Sequence, residues 1–205
     1  MILIGYSGHG YVAQGVFLSA GVTVTGYCDN QKKDYNPFNL LYHGTEADAL
    51  KKNIFKKENF FISIGNNAIR QKVYNFLADA NILPANAVHR SAIIDASAHI
   101  AENGVMIAAN VTLNPLATIN RGVICNTGCI IEHECIVGEF SHIAPGAILC
   151  GNVTIGSGTF IGAGSVIRQG ISIGSNVTVG AGSVIVKNIP DNVLVFGNPA
   201  KIYMP

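Results

Sequence analysis

The stretch Thr154-Ile155-Gly156-Ser157-Gly158-Thr159-Phe160-Ile161-Gly162-Ala163-Gly164-Ser165-Val166-Ile167 decides the fold. It repeats every six residues, with an aliphatic side chain at Ile155, Ile161 and Ile167 and a small one four places later at Thr159 and Ser165. Extended both ways, the register runs from Ile107 to Ile185 without one polar residue in the aliphatic slot, and every fourth residue after that slot is small or β-branched. Two further hexads, at Ile94 and Ile100, precede a one-residue slip. Such a period does not fit a helix (3.6) and predicts short parallel strands, three to a coil, wound into a β-helix with the aliphatic residues inside. Glycines one and three places after the slot, such as Gly156 and Gly158, are expected at corners that need positive φ.

The repeat begins after Pro84, and the residues before it obey another grammar. Ile2 to Ile4 reads as a buried strand, Tyr11 to Ala20 as a helix, Val22 to Cys28 as a β segment, Phe60 to Ile64 as a strand and Ala68 to Ala80 as a helix. Lys51 to Lys57 reads as a solvated helix face. We therefore expect a small α/β domain over residues 1–84 and a β-helix with a C-terminal tail over residues 85–205. With 13 basic against 12 acidic residues in 205, the chain lacks the basic stripe of a nucleic-acid binder. It also lacks an apolar run long enough to span a bilayer or a basic leader, which predicts a cytoplasmic protein. Five cysteines without a CxxC pair predict reduced, packed thiols and no metal site.

Departures from so regular a repeat are informative. In Ile131-Glu132-His133-Glu134-Cys135 an imidazole occupies an outward slot between two carboxylates, which would hold its tautomer and strengthen it as a base. His142 follows nine residues later. In the first domain, Gly5-Tyr6-Ser7-Gly8-His9-Gly10 joins a strand to a helix, so Ser7, Gly8 and His9 form a phosphate cradle at a helix N-terminus. The spacing is not that of a dinucleotide fingerprint, and one nucleotide half-site is expected rather than hydride transfer. Asp29 and Asn30 end the second strand, and Gly65-Asn66-Asn67 with Arg70 ends the third, where ligands of parallel sheets bind. His9 and Arg70 are the foremost expected phosphate or sugar contacts, and Asn67 is expected either to join them in binding substrate or to cap the following helix.

The hexapeptides, the run Ile131-Glu132-His133-Glu134-Cys135-Ile136-Val137-Gly138-Glu139-Phe140-Ser141-His142 and the closing Gly197-Asn198-Pro199-Ala200-Lys201 resemble the left-handed β-helix acyltransferases. More narrowly, the chain resembles the sialic-acid O-acetyltransferase and bacillosamine N-acetyltransferase group, in which a small Rossmann-like domain precedes such a helix. The resemblance implies a left-handed coil, acetyl-CoA as co-substrate and a homotrimer with active sites between subunits. It also implies residue roles. His133 would be the general base and Glu134 its partner. The backbone N–H of Gly151 would stabilise the oxyanion, His142 would contact acetyl-CoA, and Ala163 and Ala181 would line the path of its pantetheine and adenine. Asn126, on the coil beneath His133, would orient the acceptor. The implied reaction is acetylation of the 4-amino group of a UDP-linked 4-amino-4,6-dideoxy sugar. Its rivals are O-acetylation of a sialic acid and a non-catalytic nucleotide-sugar-binding scaffold.

Overall fold

The computed structural model describes residues 1–203. The first unit runs β1 (Ile2–Ile4), α1 (Gly8–Ser19), β2 (Gly26–Cys28), β3 (Leu41–Tyr42), α2 (Glu46–Lys51), α3 (Ile54–Lys57), β4 (Phe60–Ile62) and α4 (Asn67–Ala78). Its four strands pair in parallel in the order β3-β2-β1-β4. β1, β2 and β4 are wholly buried, which explains their unbroken apolar runs: a parallel sheet covered on both faces has no polar side to alternate with. Thr45 and Asp48 close a reciprocal capping box on α2, satisfying two N-terminal N–H groups.

From Ala87 onward the chain coils as a left-handed parallel β-helix of two-residue strands, which stack into three faces. The first face contains Met106–Ile107, Ile124–Cys125, His142–Ile143, Phe160–Ile161 and Thr178–Val179. The second contains Thr112–Leu113, Ile130–Ile131, Ile148–Leu149, Val166–Ile167 and Val184–Ile185, and the third Thr118–Ile119, Ile136–Val137, Thr154–Ile155 and Ser172–Ile173. We call the turns from first to second face corner one, from second to third corner two, and from third back to first corner three. Every aliphatic slot from Ile107 to Ile185 is buried. Each inward aliphatic side chain contributes roughly 1.5–3 kcal/mol by leaving water. Backbone groups are satisfied from coil to coil, as in Gly138 N–H to the Ile155 carbonyl at 2.8 Å. In a terminal hairpin, Leu194–Gly197 extends the first face in parallel beside Thr178–Val179 and pairs antiparallel with Ala200–Tyr203.

The two sets of corner glycines do different work. Gly158, Gly164 and Gly182, three places after the slot, have φ of +70°, +66° and +68° as expected. Those one place after it, such as Gly156, do not have positive φ. A Cβ at Gly156 would strike the backbone of Gly174 and Ser175 in the next coil, so its requirement is close approach rather than handedness.

The α/β unit docks on the first face and corner three. α1 packs on the first face, sharing a core in which Leu3, Phe17 and Phe61 belong to the same cluster as Ala87, Met106 and Ile124. From α4, Tyr74 meets Phe140 edge-on at 5.2 Å between ring centroids. All five thiols are free, and Cys125, Cys129 and Cys135 fill core slots of the coil. Among the described residues no helix is long and apolar enough to cross a membrane.

Candidate functional site

At corner two, His133 Nδ1 lies 3.1 Å from Glu134 Oε2. A carboxylate only accepts, so Nδ1 is the donor and Nε2 is the ring nitrogen left unbonded. The partner is Glu134, not Glu132. Glu134 has φ of +60°, a left-handed conformation that costs a residue with a Cβ roughly 1–2 kcal/mol. Directly above in the next coil lies Gly151, where a Cβ would overlap Cε1 and Nε2 of the His133 ring. The Gly151 N–H makes no hydrogen bond among the described residues, while its carbonyl accepts from Gly170 N–H at 3.0 Å. An imidazole with Nε2 unbonded thus lies directly beneath an unspent backbone donor. That is the pair of groups an acyl transfer to an amine or alcohol needs. His133 and Glu134 are half exposed, so the pair faces an open wall.

A second concavity, of about 700 Å³, lies at the carboxyl ends of β1, β2 and β4. Ser7, Asp29, Asn30, Gly65 and Asn66 all line it, bringing together three separate sequence motifs. The Ser7 side chain makes no capping bond, leaving the α1 N-terminus open. Asp29 accepts from Tyr6 N–H at 3.0 Å and Asn30 N–H at 2.8 Å and pairs with Lys33 at 3.0 Å, bracing the turn after β1 from the cleft wall. A groove of about 460 Å³ continues from Gly65 and Asn66 onto the coil, past Asn67, Gly158, Phe160, Asn176 and Thr178.

Four expectations change. Arg70 is 1% exposed and does not face the cleft. Its guanidinium donates to the carbonyls of Gly122, Phe140 and Ser141 on the coil and to the Ile64 and Gly65 carbonyls and Asn67 Oδ1 of its own unit, so its N–H groups are spent on bracing the start of α4 and tying it to the coil. Asn67 belongs to the same strut, donating to the Gly158 carbonyl at 2.9 Å, and the cap of α4 is Asn66, whose side chain accepts from Ile69 N–H. His9 and Gly8 lie outside the cleft lining; the His9 ring turns to His142, 5.8 Å away between centroids. Asn126 sits at corner one, with Nδ2 3.1 Å from His142 Nε2, rather than under His133.

His142 Nδ1 is 3.3 Å from the Gly65 carbonyl, so that nitrogen donates and Nε2 accepts from Asn126. Burial, and then the nearby Arg70 charge, push both His9 and His142 down to about 4, so both are neutral at pH 7. His9 Nε2 is buried without a hydrogen-bond partner among the described residues. Ala163 and Ala181 are exposed and stacked one coil apart at corner one, where Gly182 N–H reaches the Ala163 carbonyl at 2.8 Å. Among the described residues no cluster of His, Cys, Asp or Glu suits a metal.

With this geometry in hand, comparison with known proteins is direct. The PglD N-terminal domain family matches residues 1–77, and the bacterial transferase hexapeptide (six repeats) family matches residues 152–187. A histidine-to-asparagine variant of perosamine N-acetyltransferase from Caulobacter crescentus, solved with CoA and GDP-perosamine, superposes with a TM-score of 0.94 at 32% identity. The match covers 100% of this chain and 96% of that one. The chain belongs to the hexapeptide-repeat sugar N-acetyltransferases. The acetyltransferase domain of PglB from Neisseria gonorrhoeae FA1090, in complex with acetyl coenzyme A, matches this acetyltransferase with a TM-score of 0.90 at 32% identity over 98% of both chains. GDP-perosamine N-acetyltransferase of Escherichia coli O157:H7 is 30% identical over 123 residues, 60% of this chain, and that match spans about half (53%) of the curated relative's length.

The structure also adds Phe140 to the residues sequence reasoning chose. Its column in the coil reads Gly104, Gly122, Phe140, Gly158, Asn176, and an aromatic residue among glycines and asparagines was the available signal that something docks there.

Proposed function

We propose that the protein transfers acetyl from acetyl-CoA to the 4-amino group of a nucleotide-linked 4-amino-4,6-dideoxy sugar, in the cytoplasm where both substrates are made. The observation that carries this reading is the His133–Glu134 pair lying directly beneath the unpaired Gly151 N–H. His133 Nε2 takes a proton from the amine as its nitrogen attacks the thioester carbonyl, and the Gly151 N–H receives the oxyanion. Collapse of the tetrahedral intermediate expels CoA thiolate, which takes the proton back from His133. Residues 1–84 hold the nucleotide, with Ser7, Asp29, Asn30, Gly65 and Asn66 around the cleft. His9, whose Nε2 is unpartnered, lies against Gly65 and beside His142 and is the proposed sugar contact. Residues 85–205 perform the transfer.

One chain does not complete the site. His133 is at corner two, whereas the α/β unit is anchored to corner three and the first face through Phe140, Gly158 and His142. The second face carries an outward stripe, Ile93, Thr112, Ile130, Ile148, Val166 and Val184, aliphatic but for Thr112, with Ile93 67% exposed. The third face is mixed, presenting His99, Thr118, Thr154 and Ser172 beside Ile136, which is 45% exposed. Burying the aliphatic face around a three-fold axis sets corner two of one chain against corner one of the next. His133 then faces a neighbour's Ala163 and Ala181, beside its His142, Asn126 and cleft. The homotrimer is part of this proposal, as are the roles of His142, Ala163 and Ala181 toward acetyl-CoA.

The test is release of free CoA from acetyl-CoA with three acceptors, a UDP-linked 4-amino-4,6-dideoxy sugar, GDP-perosamine and sialic acid, using wild type and His133→Ala. We expect release with a nucleotide-linked amino sugar that the variant loses. Release with sialic acid alone overturns N-acetylation.

A further inference from the structure

Between Val105 and Ile189 the coil carries three cations, Arg121, Arg168 and Lys187, and three acids, Glu132, Glu134 and Glu139. Arg121 is paired with Glu139 at 2.9 Å on corner three. The other two cations make no ion pair among the described residues, and both are exposed. Both also fall on the corner that carries His133. The register Ile130↔Ile148, Val166↔Ile148 and Val166↔Val184 stacks Glu132, Cys150 and Arg168 in one column and His133, Gly151, Gln169 and Lys187 in the next. Corner two is therefore electrically polar along the coil axis. Asp95, Glu132 and Glu134 lie at or below the base, and Arg168 and Lys187 above it. At about 4.8 Å per coil, Arg168 stands about 10 Å and Lys187 about 14 Å above His133.

We propose that Arg168 and Lys187 bind the 5′-diphosphate of CoA, an anion site built into the same corner as the general base. The inference rests on the acetyl-transfer reading and on the cleft between corner two and a neighbour's corner one. A thioester held over Gly151 has its pantetheine arm, two amides and short alkyl links, to extend, and such an arm reaches roughly 15 Å at ordinary bond lengths. Running downward it would bring the diphosphate to Asp95 and past the apolar Leu116; running upward it ends beside the two cations. The opposing column, Thr127, Pro145, Ala163 and Ala181, is neutral and small, so it admits the arm without offering the phosphates a competing partner. An arginine fork and a lysine point charge are complementary ways to hold phosphate oxygens.

Calorimetric binding of CoA and of 3′-dephospho-CoA to wild type and to the Arg168→Ala/Lys187→Ala double variant tests this without any acceptor sugar. The expected result is a dissociation constant at least tenfold higher in the double variant, the same factor for both ligands, and a salt dependence present in wild type and flattened in the variant. Arg168→Lys with Lys187 intact should recover part of the affinity. Equal CoA affinity in wild type and double variant overturns the proposal, and so does a loss seen with CoA that disappears with 3′-dephospho-CoA, which would place the cations on the 3′-phosphate instead. Wild type that binds no CoA overturns this inference and the acetyl-transfer reading together. CoA binding with no transfer to any acceptor overturns the latter alone.

Discussion

Glu134 concentrates the residue-scale argument. Its column reads Leu116, Glu134, Asn152, Gly170, all at positive φ, so the corner demands a left-handed residue and glycine or asparagine would satisfy it at least cost. A glutamate retained there holds its carboxylate on His133 Nδ1. Glu134→Gly is expected to leave the melting temperature within a few degrees of wild type, since relief of backbone strain offsets the entropy that glycine adds to the unfolded chain. The same change should lower turnover and alter the acid limb of its pH profile, because nothing then holds the imidazole tautomer. Full turnover in a well-folded Glu134→Gly would remove Glu134 from the mechanism. For His133→Ala the expected loss in turnover is at least about a hundredfold, with CoA binding retained. Gly151→Ala should also reduce turnover without unfolding the coil, since its Cβ occupies the space of the imidazole. At this scale the sequence was readable where a residue broke the repeat, as His133 does. Spacing alone was silent on which flanking carboxylate bonds the imidazole, since Glu132 and Glu134 are equivalent in spacing and differ in backbone handedness; the family resemblance was what singled out Glu134.

Among elements, the hexapeptide slots were legible because each coil repeats one environment, and a single register accounts for every inward side chain from Ile107 to Ile185. The junction between α4 and the coil was not legible. Arg70 in a loop-to-helix motif reads as a ligand contact, and only tertiary placement reveals that its donors are consumed by six backbone and side-chain acceptors. Replacing it by alanine strands buried carbonyls at about 1–3 kcal/mol each, so Arg70→Ala should lower the melting temperature strongly and Arg70→Lys less so. Beside that strut, His9 and His142 give the junction a pH dependence. Each sits near 4 when folded and keeps its ordinary 6.5 when unfolded, so between these values the unfolded chain binds more protons. Stability is therefore full above pH 6.5 and falls as the pH drops toward 4, by at most on the order of 3 kcal/mol per histidine. Melting curves over that range should show the decline, and His9→Phe should flatten it; a profile unchanged by the substitution would show that His9 is not titrating.

At the scale of the whole molecule the proposed site must be shared between chains, because the proposed base His133 is on one corner and the cleft of the α/β unit is anchored at another. Charge on the aliphatic second face, as in Ile130→Glu with Ile148→Glu, should leave the β-helix signal in circular dichroism intact while sedimentation reports a monomer and transfer is lost. A sharper test uses complementation. His133→Ala removes the base from corner two, and Ala163→Arg obstructs the opposing corner one, so each homotrimer should be inactive. When the two are mixed under conditions that exchange subunits, a site is whole only where an Ala163→Arg chain supplies His133 and a His133→Ala chain supplies the open wall. Random association makes roughly a quarter of all sites whole in a cyclic trimer. Recovery of about that fraction of wild-type turnover is the expected outcome. No recovery, with exchange demonstrated by mixed oligomers in native mass spectrometry, would mean that His133 and the Ala163 wall serve the same site within one chain, and the shared cleft would have to be abandoned.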